Sequence, residues 1–337
     1  MSGTVYAQTN DADANEVIAF RRGDDGRLTP LAPVGTGGRG TGTAHLPSQG
    51  SVTLAADGRF LLVANARSGD VSVLRADGDG PELVGVTATG DAPVSVAAHE
   101  GLVYVLNNGG DGAIAGFRLS DDGQLTAVAG SSRPLSGPGA DGAQIAFTPD
   151  GRALVVTERA TDGISVYAVG DDGSAAGPEP HGSAGTTPYG FDFTPDGVLV
   201  VTEAFGAQAG KAAASSYTSR FEPISASVGS GRSEVCWAAV TKDGRFVYVT
   251  NFGDGTISSY RVTSDGAIEL LEPVAATTVE GAKGVRDEAL TSDGRFLYAL
   301  DADARKVFGF EVRSDGRLAA VGASDGLPAT AAGLAAS

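Results

Sequence analysis

The stretch DGRFVYVTN at Asp243–Asn251 decides the fold, because variants of it return along the whole chain. Each copy runs from a turn into an alternating apolar segment that ends on Asn, Asp or Glu. The other copies are DGRFLLVAN at Asp57–Asn65, EGLVYVLNN at Glu100–Asn108, DGRALVVTE at Asp150–Glu158, DGVLVVTE at Asp196–Glu203, DGRFLYALD at Asp293–Asp301 and a shortened GTVYAQTN at Gly3–Asn10. The copies end 42 to 55 residues apart, a period typical of a β-propeller. Seven copies predict an all-β fold, a seven-bladed β-propeller in a single domain over residues 1–337.

One copy gives the order of strands within a blade. The four strands are predicted at EVCWAAVT (Glu234–Thr241), RFVYVTN (Arg245–Asn251), TISSYRV (Thr256–Val262) and AIELLEPV (Ala267–Val274). Asp-Gly pairs separate the first strand from the second and the third from the fourth, and Asp-Gly between alternating runs predicts hairpins with type I′ turns. We therefore expect four antiparallel strands per blade. The C-terminal segment Leu327–Ala336 is expected to pair beside Thr4–Thr9 as an innermost strand and close the ring.

Composition excludes several classes of function. The net charge of −17 argues against nucleic-acid binding, which depends on a basic surface that releases phosphate counterions. The single cysteine excludes an internal disulfide framework. The N-terminal sequence lacks the pattern of a signal peptide and no stretch is long enough for a membrane span, so we expect a soluble, cytoplasmic monomer with no membrane partner.

The ends of the second strands form the first set of candidate functional residues. By the repeat they occupy equivalent positions on the rim opposite the Asp-Gly hairpins, where loops are long and variable. These residues are Asn10, Asn65, Asn107, Glu158, Glu203, Asn251 and Asp301. Asn and Asp often cap strand ends by bonding their own turns, but Glu does so poorly, so Glu158 and Glu203 are interpreted as two carboxylates near one mouth. Oxygen ligands at this ring leave a calcium site chemically open, although no motif supports a metal or another cofactor.

The starts of the innermost strands form the second set, which we expect beside the central channel above apolar strand bodies such as SVAA, IAFT and FDFT. The set contains Gln49, Gln144, Tyr189, Cys236, Trp237, and the run Arg286-Asp287-Glu288. Three consecutive charges at such a position should be buried only if they are paired or functional. Arg232 lies in the preceding connection and could bind an anionic ligand group. Cys236 has no histidine near it in the repeat, because His45, His99 and His181 fall at unrelated positions.

Several blocks of the sequence resemble a known family. They are FTPDGRALVVTE, TPYGFDFTPDGVLVVTEAFG, VCWAAVTKDGRFVYVTNFGDGTISSYRV and LTSDGRFLYALDADARKVFGFEV. The chain resembles the seven-bladed lactonase family, which includes bacterial 6-phosphogluconolactonase and carboxymuconate-cyclizing enzymes, and in particular a branch with a Cys-Trp pair. The resemblance implies that Gln49, Gln144, Tyr189, Glu203, Cys236, Trp237, Asn251 and Asp287 are site residues. The stretch Gly139–Gln144 lacks the basic triplet that the family usually carries there, so a phosphorylated lactone is not the expected substrate.

Three classes of function fit these residues. The first is a hydrolase of a small lactone or related cyclic ester at the channel mouth, with Glu203 or Asp287 as general base and Arg286 stabilising the oxyanion. In this reading Asp287 is held by Arg286 or Arg232, and Asn65, Asn107, Asn251 and Glu158 contribute to binding. The second is a lyase, isomerase or cyclase that uses the same residues, and the third is a non-catalytic binding propeller. We predict the first, with a small molecule as the substrate.

Overall fold

The computed structural model describes residues 3–44 and 46–337, and Met1, Ser2 and His45 lie outside the described residues. Within that part of the chain, seven antiparallel sheets each pair their strands in the order first, second, third, fourth. The first strands of neighbouring sheets contact one another from blade to blade, including blade 7 with blade 1. The prediction of seven four-stranded blades in a ring is therefore confirmed.

The first four blades take up the N-terminal half of the chain. Blade 1 contains β1 (Gly3–Gln8), β2 (Glu16–Arg22) and an outer position split between β3 (Leu28–Pro30) and β4 (Val34–Gly35). Blade 2 consists of β5 (Val52–Ala55), β6 (Phe60–Asn65), β7 (Asp70–Arg75) and β8 (Glu82–Ala88). Blade 3 consists of β9 (Pro93–His99), β10 (Leu102–Asn107), β11 (Ala113–Leu119), β12 (Leu125–Ala127) and β13 (Arg133–Pro134). Blade 4 consists of β14 (Gly142–Phe147), β15 (Ala153–Glu158), β16 (Gly163–Val169) and β17 (Ala175–Gly182).

The remaining blades follow in the same order. Blade 5 consists of β18 (Pro188–Phe193), β19 (Leu199–Glu203), β20 (Ala213–Tyr217) and β21 (Pro223–Gly229). Blade 6 consists of β22 (Val235–Val240), β23 (Phe246–Asn251), β24 (Thr256–Val262) and β25 (Ile268–Thr277). Blade 7 consists of β26 (Val285–Leu290), β27 (Phe296–Asp301), β28 (Lys306–Val312) and β29 (Leu318–Asp325), and β30 (Ala332–Ala336) follows it. Two short 3-10 helices, Phe205–Ala207 and Phe252–Asp254, lie in the second-to-third loops of blades 5 and 6.

The last strand closes the ring. β30 pairs antiparallel with β1, with Ala336 opposite Val5 and Leu334 opposite Ala7, and it supplies the innermost strand of blade 1. All five residues of β30 are buried. The predicted closure by the C-terminal segment is confirmed, with the strand itself limited to Ala332–Ala336. Closure pairs a sheet edge that would otherwise be open to association with other chains.

The Asp-Gly hairpins differ from the predicted type I′ geometry in most blades. Type I′ requires positive φ at both central residues, which Glu100–Gly101 shows with φ of 43° and 77°. At Asp150–Gly151 the glycine has φ of 69°, whereas the aspartate does not have positive φ. The aspartate carboxylate instead accepts hydrogen bonds from the Thr148 hydroxyl (2.7 Å) and the Arg152 N–H (3.1 Å), which closes an Asx-type turn. The same Thr-x-Asp bond recurs at Thr241 with Asp243 and at Thr291 with Asp293.

Tyrosines in the second strands connect neighbouring blades. The Tyr248 hydroxyl of blade 6 donates to the Gly316 carbonyl of blade 7 at 2.9 Å, and the Tyr298 hydroxyl of blade 7 donates to the Gly26 carbonyl of blade 1 at 2.6 Å. Both rings are fully buried in the apolar clusters between blades. In these two blades the tyrosine therefore both fills the core and fixes the blade against the outer hairpin of the next.

The antiparallel order gives the ring two different rims. The hairpin rim carries the turns between first and second and between third and fourth strands. The connection rim carries the blade-to-blade connections and the second-to-third loops, so both candidate sets from the sequence belong to it or to the channel below it. Within the described part of the chain, no helix has the length and apolar character that a membrane crossing requires.

Candidate active site at the connection rim

The ends of the second strands are buried within their blades. All seven residues in this ring have almost no solvent-exposed surface: Asn10, Asn65, Asn107, Glu158, Glu203, Asn251 and Asp301. Their side chains bond mainly to groups of the same blade or of the connection that leads to it or away from it, and Asn65 also accepts a hydrogen bond from Asn15 of blade 1 at 2.9 Å. The repeat therefore predicts equivalent positions for these residues, and in the structure their buried hydrogen bonds hold strands and connections together.

Glu203 illustrates this arrangement. Its Oε1 accepts hydrogen bonds from the Gly185 N–H (2.8 Å) and the Ser215 hydroxyl (2.5 Å), and its Oε2 accepts one from the Ser227 hydroxyl (2.6 Å). Ser183 contributes a longer contact of 3.4 Å. The carboxylate thus joins the connection into blade 5 to the third and fourth strands of that blade, which occupies its acceptor positions.

Glu158 has the same surroundings one blade earlier. Its carboxylate accepts from the Ser136 N–H (3.0 Å), the Thr161 hydroxyl (2.9 Å) and the Ser165 hydroxyl (2.7 Å), and it also contacts the Ser136 hydroxyl. None of these partners is shared with Glu203. The expectation that Glu158 and Glu203 share one mouth is not what the structure shows, because each carboxylate is enclosed by the hydroxyl groups of its own blade.

The asparagines in this ring bond in the same manner. Asn65 donates to Asp70 and Ser72 at 2.7 Å each. Asn251 donates to the Ser258 hydroxyl at 2.9 Å, and Asn107 donates to the Thr89 carbonyl at 3.2 Å. The binding roles predicted for these residues stay predictions, and their observed bonds are structural.

The second candidate set lies at irregularities in the innermost strands. In the described residues, six of the seven innermost strands depart from regular pairing near their first residues. The residues at these irregularities are Val94, Ala143, Tyr189–Gly190, Cys236–Trp237, Arg286 and Gly333. A β-bulge re-aims the side chains beside it and is common next to active sites. In blades 5, 6 and 7 the bulges contain predicted site residues, which are Tyr189, Cys236, Trp237 and Arg286.

These bulges bring together five side chains, which we call the rim cluster: Arg159, Tyr189, Cys236, Trp237 and Arg286. The Tyr189 and Trp237 rings lie 4.7 Å apart between centroids and are inclined by 35°. Arg159, from the second-to-third loop of blade 4, lies 5.2 Å above the Tyr189 ring and donates to its hydroxyl at 3.1 Å. Arg159 also forms an ion pair with Asp141, which fixes the guanidinium over the ring.

Glycine is required beside this aromatic pair. A Cβ on Gly190 would lie 2.7 Å from the Trp237 Cα and would overlap the Gln49 side chain. The Gly190 carbonyl accepts from the Thr202 hydroxyl at 3.0 Å, and the same hydroxyl lies 2.7 Å from the Cys236 carbonyl. The Tyr-Gly dipeptide and the threonine before the strand-end glutamate therefore hold the bulges of two blades together.

The thiol of Cys236 is unsuited to nucleophilic attack. Burial raises its pKa to about 12, with the Arg286 guanidinium opposing the shift and Glu234 and Asp287 adding to it. The thiolate, which is the reactive form, is therefore scarce near neutral pH. Cys236 packs as an apolar residue in the buried cluster that also contains Tyr189 and Trp237.

Arg286 is held over the rim by several contacts. It forms a 2.8 Å ion pair with Asp303, lies 4.7 Å above the Phe252 ring and contacts the Ala44 carbonyl. Its Nε is buried and has no hydrogen-bond partner among the described residues. The expected pairing of Arg286 with Asp287 is absent, since the guanidinium pairs with Asp303.

Asp287 is buried directly beside Arg286 in the chain. Its exposed fraction is 3%, and its Oδ1 accepts from the Glu288 N–H at 2.9 Å. Burial raises the pKa of the carboxyl well above its ordinary value, while main-chain N–H groups of Glu288 and Gly333 partly oppose the shift. A buried carboxyl with a raised pKa has the properties of a general acid or base.

Gln49 and Gln144 lie deeper in the channel. The Gln144 Nε2 donates to the Phe191 carbonyl at 2.9 Å, and its Oε1 accepts from the Phe191 N–H at 2.7 Å. Gln49 does the same with Ala238, on the opposite side of the channel. Arg232 lies on the connection into blade 6, and its Nε is buried with no partner among the described residues. The binding roles predicted for these three residues stay predictions.

The described residues contain no group of three or more His, Cys, Asp or Glu side chains placed to hold a metal ion.

The sequence does not by itself identify three polar residues of the channel and its rim as functional candidates. Arg159 follows Glu158 directly, and a basic residue after a strand end was the available signal. Asp192 lies within FDFT, whose pattern predicts an apolar strand body, and Glu288 lies in a run of three charges whose sequence does not set it apart from its neighbours.

The comparison with known families agrees with the fold. The family model described as Lactonase, 7-bladed beta-propeller matches residues 133–204 and 218–332, which is more than half of the chain. The chain therefore belongs to this family of seven-bladed propeller lactonases. No curated protein matches the sequence.

Solved structures with related folds cover nearly the whole chain. A putative 6-phosphogluconolactonase from Bacteroides fragilis has a TM-score of 0.78 at 18% identity, covering 100% of this chain and 98% of that one. Another from Bacteroides uniformis has a TM-score of 0.76 at 20% identity, covering 98% of each chain. A periplasmic gluconolactonase from Pseudomonas aeruginosa has a TM-score of 0.73 at 20% identity, covering 98% of this chain and 97% of that one. At these identities the likeness concerns the fold alone.

Proposed function

We propose that the protein hydrolyses a small lactone or a related cyclic ester at the connection rim of its channel. Membership of the lactonase family supports this class of reaction. The observation on which the proposal depends is the bulged start of β26, where consecutive residues carry a guanidinium fixed by Asp303, Arg286, and a buried carboxyl, Asp287. Hydrolysis of a cyclic ester needs these two kinds of group, a base for water and a donor for the developing oxyanion.

The two groups would act in the following order. Asp287, once ionised, takes a proton from water as the water oxygen attacks the lactone carbonyl carbon. The Arg286 Nε–H, which has no partner among the described residues, donates to the carbonyl oxygen as negative charge develops there. The bond from the carbonyl carbon to the ring oxygen then breaks, and the ring oxygen takes the proton from Asp287 to leave a hydroxy acid.

The other members of the rim cluster supply binding surface. The Tyr189–Trp237 pair offers an aromatic wall, and Arg159 offers a second cation near the carbonyl or the carboxylate of the product. The role of Glu203 as an alternative base stays within the proposal, but its acceptor positions are occupied by blade 5 donors. Asp287 is therefore the first choice.

A pH-stat assay over a panel of unphosphorylated and phosphorylated lactones tests the proposal, because hydrolysis releases one acid per turnover. We expect turnover by the wild type, and a loss of about 10²- to 10⁴-fold in Asp287→Asn. Arg286→Met should lose about 10²- to 10³-fold. Asp265→Asn, which changes an exposed hairpin aspartate, is the matched control and should retain full activity.

Three outcomes would contradict the proposal in different ways. Equal turnover by wild type and Asp287→Asn removes the assigned base, and a selective loss in Glu203→Gln transfers that role to Glu203. Absence of turnover on every lactone removes the hydrolase itself and favours the lyase, isomerase, cyclase or binding functions that the sequence also allows.

We also propose that the protein acts as a monomer in the cytoplasm on a small molecule, without nucleic acid. The acidic net charge of −17 supports the absence of nucleic acid. Light scattering on the purified protein tests the monomer, and fractionation of the source cells tests the location.

A further inference from the structure

The channel has a second recess on the side away from the rim cluster. Two adjoining cavities of about 440 and 320 Å³ are lined by the later residues of the innermost strands, so they open towards the hairpin rim. Gln49, Gln144 and Glu288 line both cavities. Much of the remaining wall is apolar: Ala97, Ala98, Ile145, Ala146, Phe147 and Leu334 line the larger cavity.

Glu288 is the unusual residue of this recess. Its exposed fraction is 3%, and neither Oε1 nor Oε2 has a hydrogen-bond partner among the described residues. The two neighbouring carboxyls differ from it. Asp192 accepts from the Val240 and Phe193 N–H groups at 2.8 Å each, and Asp287 accepts from the main chain of its own strand.

A carboxylate without hydrogen-bond partners is costly to bury, so a cation that bonds to Glu288 would be stabilised there. Burial raises the pKa of Glu288 well above its ordinary value, and Asp287 and Asp192 raise it further. The Tyr248 hydroxyl on β23 is the other titratable group under its influence, and the pKa of that hydroxyl is raised by burial and by Glu288. Two basic residues line the cavities, Lys242 the smaller one and His99 the larger one. The Lys242 side chain is exposed, and neither residue bonds to the Glu288 carboxylate.

The chemistry of the recess selects among cations. A divalent cation such as Ca²⁺ takes six to eight oxygen ligands. Here Asp192 has both carboxylate oxygens engaged by main-chain donors, and only Glu288 offers two uncommitted oxygens. A primary ammonium needs fewer acceptors, and an alkyl chain attached to it would lie along the apolar wall.

We propose that this recess binds a small primary alkylammonium ion, with its nitrogen bonded to the Glu288 carboxylate and its chain directed towards the hairpin rim. The site is distinct from the proposed lactonase site, because Glu288 lines both cavities whereas Arg286 and Asp287 line neither. Binding of the cation ionises Glu288, since the ammonium supplies the partner that the carboxylate lacks. Ligand uptake therefore releases a proton in the range where the empty site is protonated.

Isothermal titration calorimetry with n-butylammonium chloride tests the site, with 1-butanol as the neutral probe of similar shape. We expect the wild type to bind n-butylammonium at least tenfold more tightly than 1-butanol. Affinity should rise with pH until the empty Glu288 itself ionises, and titrations in buffers of different ionisation enthalpy should show proton release. Glu288→Gln should lose at least tenfold in affinity, whereas Glu280→Gln, which changes an exposed glutamate, should bind as the wild type does.

A second variant keeps the test decisive if Glu288→Gln folds poorly. Ala289→Leu retains the carboxyl but narrows both cavities, and it should weaken binding of n-butylammonium while leaving the fold intact by circular dichroism. Equal binding of 1-butanol, unchanged affinity in both variants, or selective binding of K⁺ or Ca²⁺ in place of the ammonium would each overturn the proposal.

Discussion

The carboxamide of Gln49 bonds to the main chain of Ala238 across the channel. Nε2 donates to the Ala238 carbonyl at 2.8 Å, and Oε1 accepts from the Ala238 N–H at 3.2 Å. Gln49 precedes the first strand of blade 2, whereas Ala238 lies in the first strand of blade 6. A single side chain therefore ties opposite sides of the ring across the channel.

Gln49→Ala should destabilise the ring. The change leaves one buried N–H and one buried carbonyl of β22 without partners, which should lower the free energy of unfolding by about 1–3 kcal/mol. Chemical denaturation measures this, with Gln208→Ala, at an exposed glutamine, as the control. If Gln49→Ala and Gln208→Ala unfold alike, the amide does not tie the ring.

Deleting residues 332–337 should produce a much larger loss. The deletion removes β30, whose residues are all buried, and leaves β1 as an open edge beside the channel. We expect the melting temperature to fall by at least about 10 °C, because several kcal/mol of burial and pairing disappear together. Removing Ser337 alone should cost far less. A deletion that melts with the wild type would contradict closure of the ring by β30.

Glu203→Gln should primarily lower the free energy of unfolding, and not the rate of lactone hydrolysis. The amide nitrogen would face hydroxyl and N–H donors that now bond to a carboxylate, so we expect a loss of about 1–3 kcal/mol. Glu158→Gln is the matched variant, because its carboxylate has equivalent partners in blade 4. Comparable losses in both variants indicate a structural role. A selective loss of lactone turnover in Glu203→Gln, with unchanged stability, would restore its role as the base.

The repeat was sufficient to predict the blades, their strand order and the closing strand. A period of two, combined with turns at fixed intervals, determines which segments pair. The repeat also placed Glu203 and Asn251 at equivalent positions. It could not show which way those side chains point, because alternation within one strand does not reveal which neighbouring strand each face meets.

The rim cluster could be anticipated only in part. The position at the start of an innermost strand predicts four site residues, and in the structure the strands bulge at that position. These residues are Tyr189, Cys236, Trp237 and Arg286. A bulge arises from the mismatch between two paired strands, so one strand's sequence does not contain it. The position of Arg159 directly after a strand end is a local signal for a basic residue at the rim, but it does not indicate the bond to Tyr189, which joins two blades.

Lactone turnover should rise with pH through the ionisation of Asp287. Its raised pKa means that the carboxyl stays protonated, and inactive as a base, in a range where an ordinary aspartate is already ionised. The profile of kcat/KM should therefore show an ascending limb above the ordinary range for aspartate, and Asp287→Asn should abolish that limb along with most of the rate. A profile that is flat in the wild type, or an ascending limb that persists in Asp287→Asn, would assign the base elsewhere.

Asp192 should make the fold less stable as pH rises. Burial raises the pKa of this carboxyl to about 6, although the Val240 and Phe193 N–H groups oppose the shift. The folded state therefore binds the proton more tightly than the unfolded state, whose aspartates titrate near pH 3.9. The resulting stabilisation is complete below that value and is lost as pH rises through about 6. Replacing Asp192 by Asn removes this titration, so the wild type should lose up to about 3 kcal/mol relative to Asp192→Asn between pH 3.5 and pH 7.

Urea denaturation of both proteins across this range measures the difference, and subtraction cancels the acids that do not interact with Asp192. Asp192 also raises the pKa of Glu288, so the loss of that effect in Asp192→Asn contributes to the difference in the same direction. Asp265→Asn provides a control of opposite sign, because hydrogen bonds from Thr263 and the Ala267 N–H lower the pKa of that exposed carboxyl. Asp192→Asn will also have a lower baseline stability, since an amide nitrogen cannot accept the second main-chain hydrogen bond. The prediction concerns the slope with pH, which that constant offset does not change. Parallel curves for the wild type and Asp192→Asn would show that Asp192 titrates alike in the folded and unfolded chains.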